Sequence, residues 1–478
     1  MLAEVDFREH FKSNPVFGLV AATASGMGVK AYVVGGYVRD LFLNRTSKDI
    51  DFVCLGSGIA LAEKVSEALG GAHISIFKNF GTAMIRSGEY ELEFVGARKE
   101  SYREDSRKPL VEDGTLSDDQ NRRDFTINAL AVSLNAENFG ELIDPFSGLN
   151  DLRKKVIKTP LEADRTFSDD PLRMMRAIRF ANQLNFDIDP DTFDSIIRNA
   201  ARLKIISMER IIDETNKIIA CPQPSYGFKL LFHGRLLHQY FPEMAALQGV
   251  EYVDGNAHKD NFYHTLQVLD NVCKVSDDLW LRWSAILHDI AKPATKRYDP
   301  KVGFTFHGHE ERGAKMTPGI FRRLKLPMGE NMNFVQKLVR LHLRPISLVY
   351  NVSDSAIRRL LFEAGEDLDA LMILCRADIT SKNTEKVTRF LKNFDEVEKR
   401  MLEVEEKDGI RNFQPPVSGE EIMQHFGIPP SKMVGIIKDR IKDAILEGEI
   451  KNDREEAWRF MLNFAAENGI TPVKQTTK

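Results

Sequence analysis

The stretch Val33-Val34-Gly35-Gly36-Tyr37-Val38-Arg39-Asp40, followed by Asp49-Ile50-Asp51, decides the reading of this chain. A short apolar run meets two glycines and then a helical pattern. Glycines let backbone N–H groups approach an anion at a helix N-terminus, where a triphosphate would sit. Arg39 lies one turn into that helix and can add a charged fork to the same phosphates. Asp49 and Asp51 are two apart on a strand, so both point to one face. Neighbouring carboxylates repel unless a cation lies between them, and hard oxygen ligands suit Mg²⁺. Glu91 and Glu93 repeat the spacing in Tyr90–Val95, so one of them can bring a third carboxylate. Three carboxylates can hold two metal ions, one activating an attacking hydroxyl and one stabilising a leaving pyrophosphate. The glycine pair and the acidic pair together read as a nucleotidyl-transfer site.

Outward from this stretch, residues 30–150 alternate β-rich runs with helices: Ala31–Val34, Asp49–Cys54, His73–Phe77, Thr82–Arg86 and Tyr90–Val95. From about Asp151 the periodicity is helical and stays so. The expected architecture is an α/β head over residues 1–150, a helical neck over 151–250, a helical body over 251–405 and a helical tail over 406–478. Gly96–Gln120 is rich in charge and holds Pro109 and Gly114, which predicts a long mobile loop. A break is expected near Gly249–Asn261. Another is expected near Gly409–Gly419, where Pro415 and Pro416 stop a long helix that begins near Asn383. Gly419–Phe464 reads as three helices separated by Gly427–Pro430 and by Gly448.

Composition narrows the function. The 478 residues suffice for several domains, and 43% hydrophobic with 28% charged is ordinary globular usage. No apolar run reaches the roughly 20 residues of a membrane-spanning helix, so no membrane is expected. The first residues lack the pattern of a secretory signal. The four cysteines form no CxxC pair, against a disulfide scaffold or thiolate zinc site and in favour of a reducing cytoplasm. Lys plus Arg number 66 against 70 Asp plus Glu, a net charge of −4. A polyanionic substrate must therefore be held by local basic patches. Candidates are Arg153-Lys154-Lys155, Arg322-Arg323-Lys325, and Lys432 through Lys442.

A second pattern lies in Asp169–Phe186. Asp170, Arg173, Arg176 and Arg179 recur every three residues, a slowly drifting stripe on a helix. A carboxylate acceptor beside a guanidinium donor matches cytosine and adenine, each of which offers an exocyclic amine next to a ring nitrogen. Guanine and uracil present the opposite pattern. Such a pair can choose C and A without a nucleic-acid template.

The ordered set GGYVRDLFLNRTSKDIDF, RRDFTINALA (Arg122–Ala131), DPFSGLNDLRKKVIKT (Asp144–Thr159), DDPLRMMRAIRFANQLNF (Asp169–Phe186) and ISMERI (Ile206–Ile211) resembles the bacterial class II tRNA nucleotidyltransferases. These are the CCA-adding enzymes and their relatives, the bacterial poly(A) polymerases. The resemblance implies a polymerase-β-like head, with helical neck, body and tail that hold tRNA. It implies Asp49 and Asp51 as metal ligands with Glu93 as the third carboxylate, because EFVGAR falls at the family's Glu-to-Arg strand. It implies that Asp170 and Arg173 read the base with Arg176 and Arg179 nearby. Arg123 and Asp124 would face triphosphate and ribose, and Asn128 would help from the same helix. One position departs, since Asp169 stands where the family pattern has Glu.

In the body, His264, His288-Asp289, His309, His342 and Asp378 fall in an order that resembles the HD metal-dependent phosphohydrolases. Histidine and carboxylate together suit a transition metal or Mg²⁺ that activates water against a phosphoester. The resemblance implies His264, His288, Asp289 and Asp378 as ligands, with His309 and His342 completing a second metal position. Hydrolysis at RNA 3′ ends, including 2′,3′-cyclic phosphates, is the chemistry implied. The expected function is Mg²⁺-dependent addition of C and A to the tRNA 3′ end from CTP and ATP, with no DNA partner. The alternatives are a poly(A) polymerase, an enzyme adding only CC or only A, and an HD phosphohydrolase whose head serves for recognition.

Overall fold

The structure is a computed structural model. It describes residues 2–472 apart from 79–80, 104–105, 250–251, 254–255, 258–259, 302, 349–352, 381–382 and 412, and of 100–111 and 252–257 only the backbone. It divides into two compact units, Met1–Pro242 and Glu243–Lys478. No helix among the described residues is long and apolar enough to cross a membrane.

The first unit is built on a seven-stranded sheet. Its strands are β1 (Ala31–Val34), β2 (Asp49–Cys54), β3 (Ile74–Phe77), β4 (Thr82–Ser87), β5 (Tyr90–Gly96), β8 (Ala131–Ser133) and β9 (Leu142–Ile143), in the order β3-β4-β5-β2-β1-β8-β9. The first five runs expected from periodicity are all present. Alternation sends Ile50 and Phe52 of β2 to the same face as Leu92 and Phe94 of β5, where all four are buried. The Phe52 and Phe94 rings stack at 5.0 Å. Their sequence neighbours Asp49, Asp51, Glu91 and Glu93 take the other face.

Three expectations need correction. Gly96–Gln120 is not a structureless loop. It forms an antiparallel ladder of β6 (Arg98–Arg103) and β7 (Ser106–Asp113), then helix α2 (Leu116–Asn121) with a Thr115/Asp118 capping box. The charge that suggested a loop is compatible with a two-stranded ribbon. RRDFTINALA is not a helix. Thr126–Asn128 make one 3₁₀ turn, and Ala131–Ser133 join the sheet against β1. Nor is the chain wholly helical after Asp151. Val156–Ile157 (β10) pairs in parallel with Asp187–Ile188 (β11), and Arg297–Asp299 (β12) with Gly303–Thr305 (β13) as a hairpin. Such two- and three-residue strands are too short to leave a periodic signal.

Beyond the sheet, α3 (Leu172–Leu184) buries Leu172, Met174, Met175, Ile178 and Ala181 against α4 (Met208–Ile219) and its surroundings. In the second unit α5 (Asn261–Cys273), α6 (Leu279–Leu287), α7 (His309–Arg323), α8 (Glu330–Leu341) and α9 (Leu368–Asp378) pack together. Their core includes Phe262, Leu269, Trp283, Val335, Leu338 and Leu371. The long helix α10 (Thr384–Asp408) begins and ends as expected. The tail has the expected three helices, α11 (Gly419–Phe426), α12 (Lys432–Glu447) and α13 (Arg454–Glu467). Gly427 and Gly448 close the first two at φ +62° and +80°, a conformation that favours glycine. Within the break expected at Gly249–Asn261, residues 250–251, 254–255 and 258–259 lie outside the described residues.

Candidate active sites

The register of the head sheet explains why the opening motif works. β1 runs antiparallel to β2 with Val34 opposite Asp51, so the glycines after Val34 arrive beside the acidic end of β2. β5 runs parallel to β2 with Asp49 opposite Glu91 and Asp51 opposite Glu93. Four carboxylates thus share one face. Glu91 is held by Arg86 from the neighbouring strand, at 2.5 Å. Glu93 is the one placed across from Asp51. Burial and the adjacent Asp49 push the Asp51 carboxyl above the ordinary range, with Arg123 opposing. Burial and Asp51 do the same to Glu93. This concentration of negative charge is what a bound cation would relieve.

Helix α1 (Gly36–Phe42) starts directly after Gly35, which has φ +74°. A Cβ at Gly35 would lie 2.9 Å from Arg123 Nη1 and 3.4 Å from Asp51 Oδ2, so the glycine makes room for both. Gly36 is the first helical residue. Arg39 does not offer a free fork here. It is buried, its guanidinium donates to Asp40 Oδ1 at 2.8 Å and Asn128 Oδ1 at 2.7 Å, and it lies over the Phe180 ring. These contacts join α1 to the turn carrying Asn128.

The stripe on α3 opens onto a cavity of about 620 Å³ lined by Arg122, Arg123, Asp124, Asp170, Leu172, Arg173, Arg176, Glu209, Arg210, Asp213 and Glu214. Asp170 and Arg173 are both at its wall. Arg173 Nη2 donates to the Arg122 carbonyl at 2.5 Å, and Asp170 sits 3.7 Å from Arg210. Arg176 forks onto Asp124, from Nε at 2.8 Å and Nη2 at 2.7 Å. Asp124, nearly fully buried, accepts also from Asn128 and is held down to about 2, because Arg176 and these hydrogen bonds outweigh burial. Arg179 is not on the cavity wall. It pairs with buried Glu214 at 2.7 Å and covers Phe180. Of the arginines on the wall, Arg176 pairs with Asp124 and Arg210 lies near Asp170, whereas Arg122 and Arg123 are held from behind by Asp119 and Arg173 donates to backbone carbonyls, so a nucleotide would enter by exchanging partners.

Sequence reasoning missed Asp119 and the α4 residues. Asp119 is wholly buried and grips both Arg122 and Arg123 from α2. Its signal, an acid three and four residues before two arginines, reads locally as a solvated helix pair. Arg210 and Glu214 lie within and just after ISMERI, whose spacing alone says nothing of a cavity.

The second site is more tightly built. His264 comes from α5, His288 and Asp289 from the end of α6, and His309 from the start of α7. His342 follows α8 and Asp378 ends α9. Two groups have ligand atoms within 4.8 Å of one another: His264, His288 and Asp378, and Asp289, His309 and His342. The structure therefore brings together all six residues that the sequence singled out. His264 Nε2 lies 2.8 Å from Asp378 Oδ1, and His288 Nε2 and His309 Nε2 are each 3.2 Å from Asp289.

The remaining ring nitrogens settle the fit to a metal. Nδ1 of His288, His309 and His342 faces the carbonyls of Ala285, Phe306 and Val339 at 2.7, 2.8 and 2.7 Å. A carbonyl only accepts, so each Nδ1 carries the proton and each Nε2 presents a lone pair. Those three Nε2 atoms are buried without a hydrogen-bond partner and converge on carboxylates. Lone pairs facing carboxylates are an arrangement that a bound cation would relieve. Without one, burial disfavours charge on His288, yet Asp289 and Asp378 push it up to about 10. His264 is held by Thr380 Oγ1 at 2.9 Å instead of a carbonyl. The residues fit one or two divalent ions.

Residues 31–158 match the family described as the poly A polymerase head domain. Residues 185–248 match the probable RNA and SrmB-binding site of polymerase A, and 261–383 the HD domain. The chain is 31% identical over 448 residues to an A-adding tRNA nucleotidyltransferase of Deinococcus radiodurans, covering 91% of this chain and 96% of the relative. It is 30% identical over 446 residues to a CCA-adding enzyme of Geobacillus sp., covering 93% and 95%. A solved tRNA nucleotidyltransferase complexed with a primer tRNA and an incoming ATP analog shares the fold at TM-score 0.56 and 25% identity, covering 80% of this chain and 99% of that one. Similarity that runs through head and helical parts alike, over nearly the whole of these relatives, places the chain among the tRNA nucleotidyltransferases, enzymes that here carry an HD domain after the head.

Proposed function

We propose that this enzyme adds C and A to the 3′ end of tRNA from CTP and ATP, completing CCA with release of pyrophosphate, in the cytoplasm. The observation that carries the reading is the register that sets Val34, Asp51 and Glu93 side by side, with Gly35 opening onto Asp51 and Arg123. Asp49, Asp51 and Glu93 would hold Mg²⁺, whose chemistry there would be to activate the terminal hydroxyl of tRNA and to neutralise the leaving pyrophosphate. Glu93 is preferred over Glu91 because Glu91 is engaged by Arg86. Gly35 and Gly36 admit the triphosphate beside Arg123. Asp170 and Arg173 leave Arg210 and the Arg122 carbonyl to meet the amine and ring nitrogen of the base. Asp124, fixed by Arg176 and Asn128, takes the ribose, and Arg39 and Arg179 act from behind as struts. In this scheme residues 1–150 carry the chemistry, 151–250 select the nucleotide, and 406–478 grip tRNA.

Incubating the purified chain with tRNA lacking its terminus, Mg²⁺, and CTP and ATP singly and together tests this. Full CCA addition with both supports it. Extension by CTP alone or ATP alone, with nothing further when both are present, makes it a partial enzyme. A long ladder on generic RNA with ATP alone makes it a poly(A) polymerase.

The convergent, partnerless Nε2 atoms favour a second activity, phosphoester hydrolysis at residues 251–405. A divalent or transition metal there would activate water for attack on an RNA 3′-terminal phosphate or 2′,3′-cyclic phosphate. Hydrolysis of bis(p-nitrophenyl) phosphate that requires added metal and disappears in His288→Ala supports it; hydrolysis that survives His288→Ala removes it.

A further inference from the structure

The hairpin β12–β13 stands beside the HD cluster, and nothing above uses it. Tyr298 and Phe304 are cross-strand partners, so their side chains share one face of the ribbon. Their rings meet edge to face at 5.4 Å, and Tyr298 remains 51% exposed. Lys296 and Phe306 flank the two strands, and each takes part in a cation–ring contact. Lys296 Nζ lies 4.1 Å from the Phe304 ring centroid, and Lys292 Nζ lies 5.8 Å from that of Phe306. The hairpin and its flanks thus bring two lysines against aromatic rings, Lys296 over Phe304 and Lys292 near Phe306.

These flanks lead into the cluster at two points. The Phe306 carbonyl holds His309 Nδ1 at 2.8 Å. Lys292 Nζ lies 2.6 Å from Asp289 Oδ2. A chain of phosphates approaching the metal ligands would therefore pass lysines spaced along rings. Aromatic faces stack on bases of any sequence, and lysines neutralise the backbone between them, which is the chemistry that recognises single-stranded nucleic acid.

We propose that Tyr298 and Phe304, with Lys296 and Lys292, form a stacking platform that seats the last bases of a single-stranded RNA and delivers its 3′-terminal phosphate to the HD cluster. The proposal rests on the hydrolase reading above and adds its recognition element. The platform would confer selectivity for an RNA end over a bare phosphoester, which the cluster by itself has no surface to distinguish.

The test compares two substrates on the full-length, metal-loaded protein: a short oligoribonucleotide ending in a 2′,3′-cyclic phosphate, and bis(p-nitrophenyl) phosphate. In the double variant Tyr298→Ala/Phe304→Ala, KM for the oligonucleotide should rise roughly ten-fold or more, as loss of base stacking implies. Its kcat, and the rate on bis(p-nitrophenyl) phosphate, should stay as in the parent. Tyr298→Phe should restore the parent KM. An unchanged oligonucleotide KM overturns the platform and leaves the hydrolase standing. Equal loss on both substrates also overturns it, because the hairpin then only supports the metal ligands. If the parent protein hydrolyses neither substrate, the hydrolase reading fails by itself, and the platform is judged by equilibrium binding of the same oligonucleotide. Weaker binding in the double variant supports it, and equal binding overturns it.

Discussion

The two candidate metal sites are built on opposite plans. In the head, carboxylates stand on a sheet face with Asp49 and Glu93 exposed, and the nearby arginines are engaged by Asp119, Asp124 and backbone carbonyls. In the body, four imidazoles and two carboxylates converge, the imidazoles are buried, and three are fixed in tautomer by backbone carbonyls. The difference is one of preorganisation. On the proposed reading the head site would be completed by its substrate, the triphosphate supplying the remaining oxygen ligands. The body site is complete before any substrate arrives, so it should hold its metal tightly and alone.

The largest effect expected from this contrast is in metal affinity. His309→Ala removes an Nε2 that has no other partner, and the affinity of the body for a divalent ion should fall at least a hundred-fold by calorimetry, with nucleotide addition intact. An equal fall in nucleotide addition would mean that the two sites are not independent.

Gly35→Ala probes the head. The new Cβ meets Arg123 Nη1 at 2.9 Å on a backbone with φ +74°, so transfer should drop on the order of a hundred-fold while metal binding in the body stays put. Steady-state incorporation rates check this.

Thr380→Val sharpens the picture within the body. It removes the hydroxyl that meets His264 Nδ1, where Nδ1 of the other three imidazoles faces a backbone carbonyl. Metal affinity should fall about ten-fold. Thr380→Ser should restore it.

Acid behaviour gives a fourth test. The Asp51 carboxyl titrates above the ordinary range because of burial, with Arg123 pulling it down. Metal binding needs the ionised form, so transfer is lost as pH falls through that raised value. Arg123→Gln removes the opposing cation, and the acid limb of kcat/KM should move to higher pH.

The smallest effect concerns stability. Asp124 falls from 3.8 to about 2 on folding, worth roughly 2 kcal/mol. Its folded value is depressed, so this stabilisation is fully present above the unfolded value and is lost as pH drops through about 2. Acid unfolding of Asp124→Asn should show a correspondingly weaker dependence on pH in that window.

Legibility in the sequence followed how local each cause was. The glycine pair, the DxD and the HD histidines were readable because adjacent residues or single rare residues carry them. The resemblance points to Glu93 as the third carboxylate, but the spacing alone leaves Glu91 open, since the two share a face and differ in the contact that Glu91 makes with Arg86 on another strand. Arg39 and Arg179 look in sequence like arginines for a nucleotide. Their partners Asn128 and Glu214 are remote in the chain, and ion pairs of that kind leave no periodic trace. The Ala131–Ser133 strand was hidden by the helix-prone composition of TINALA, which pairing with β1 overrides. The tautomer locks on the histidines were invisible, because a carbonyl acceptor carries no residue identity.

The central claim is that Asp49 and Asp51 drive nucleotide transfer and the body histidines serve a separate reaction. One measurement decides it: incorporation of CTP and ATP into tRNA, and hydrolysis of bis(p-nitrophenyl) phosphate, in parallel for the parent, Asp51→Ala and His288→Ala. The account predicts that Asp51→Ala abolishes incorporation and spares hydrolysis, with the reverse for His288→Ala. Undiminished incorporation by folded Asp51→Ala protein would contradict it.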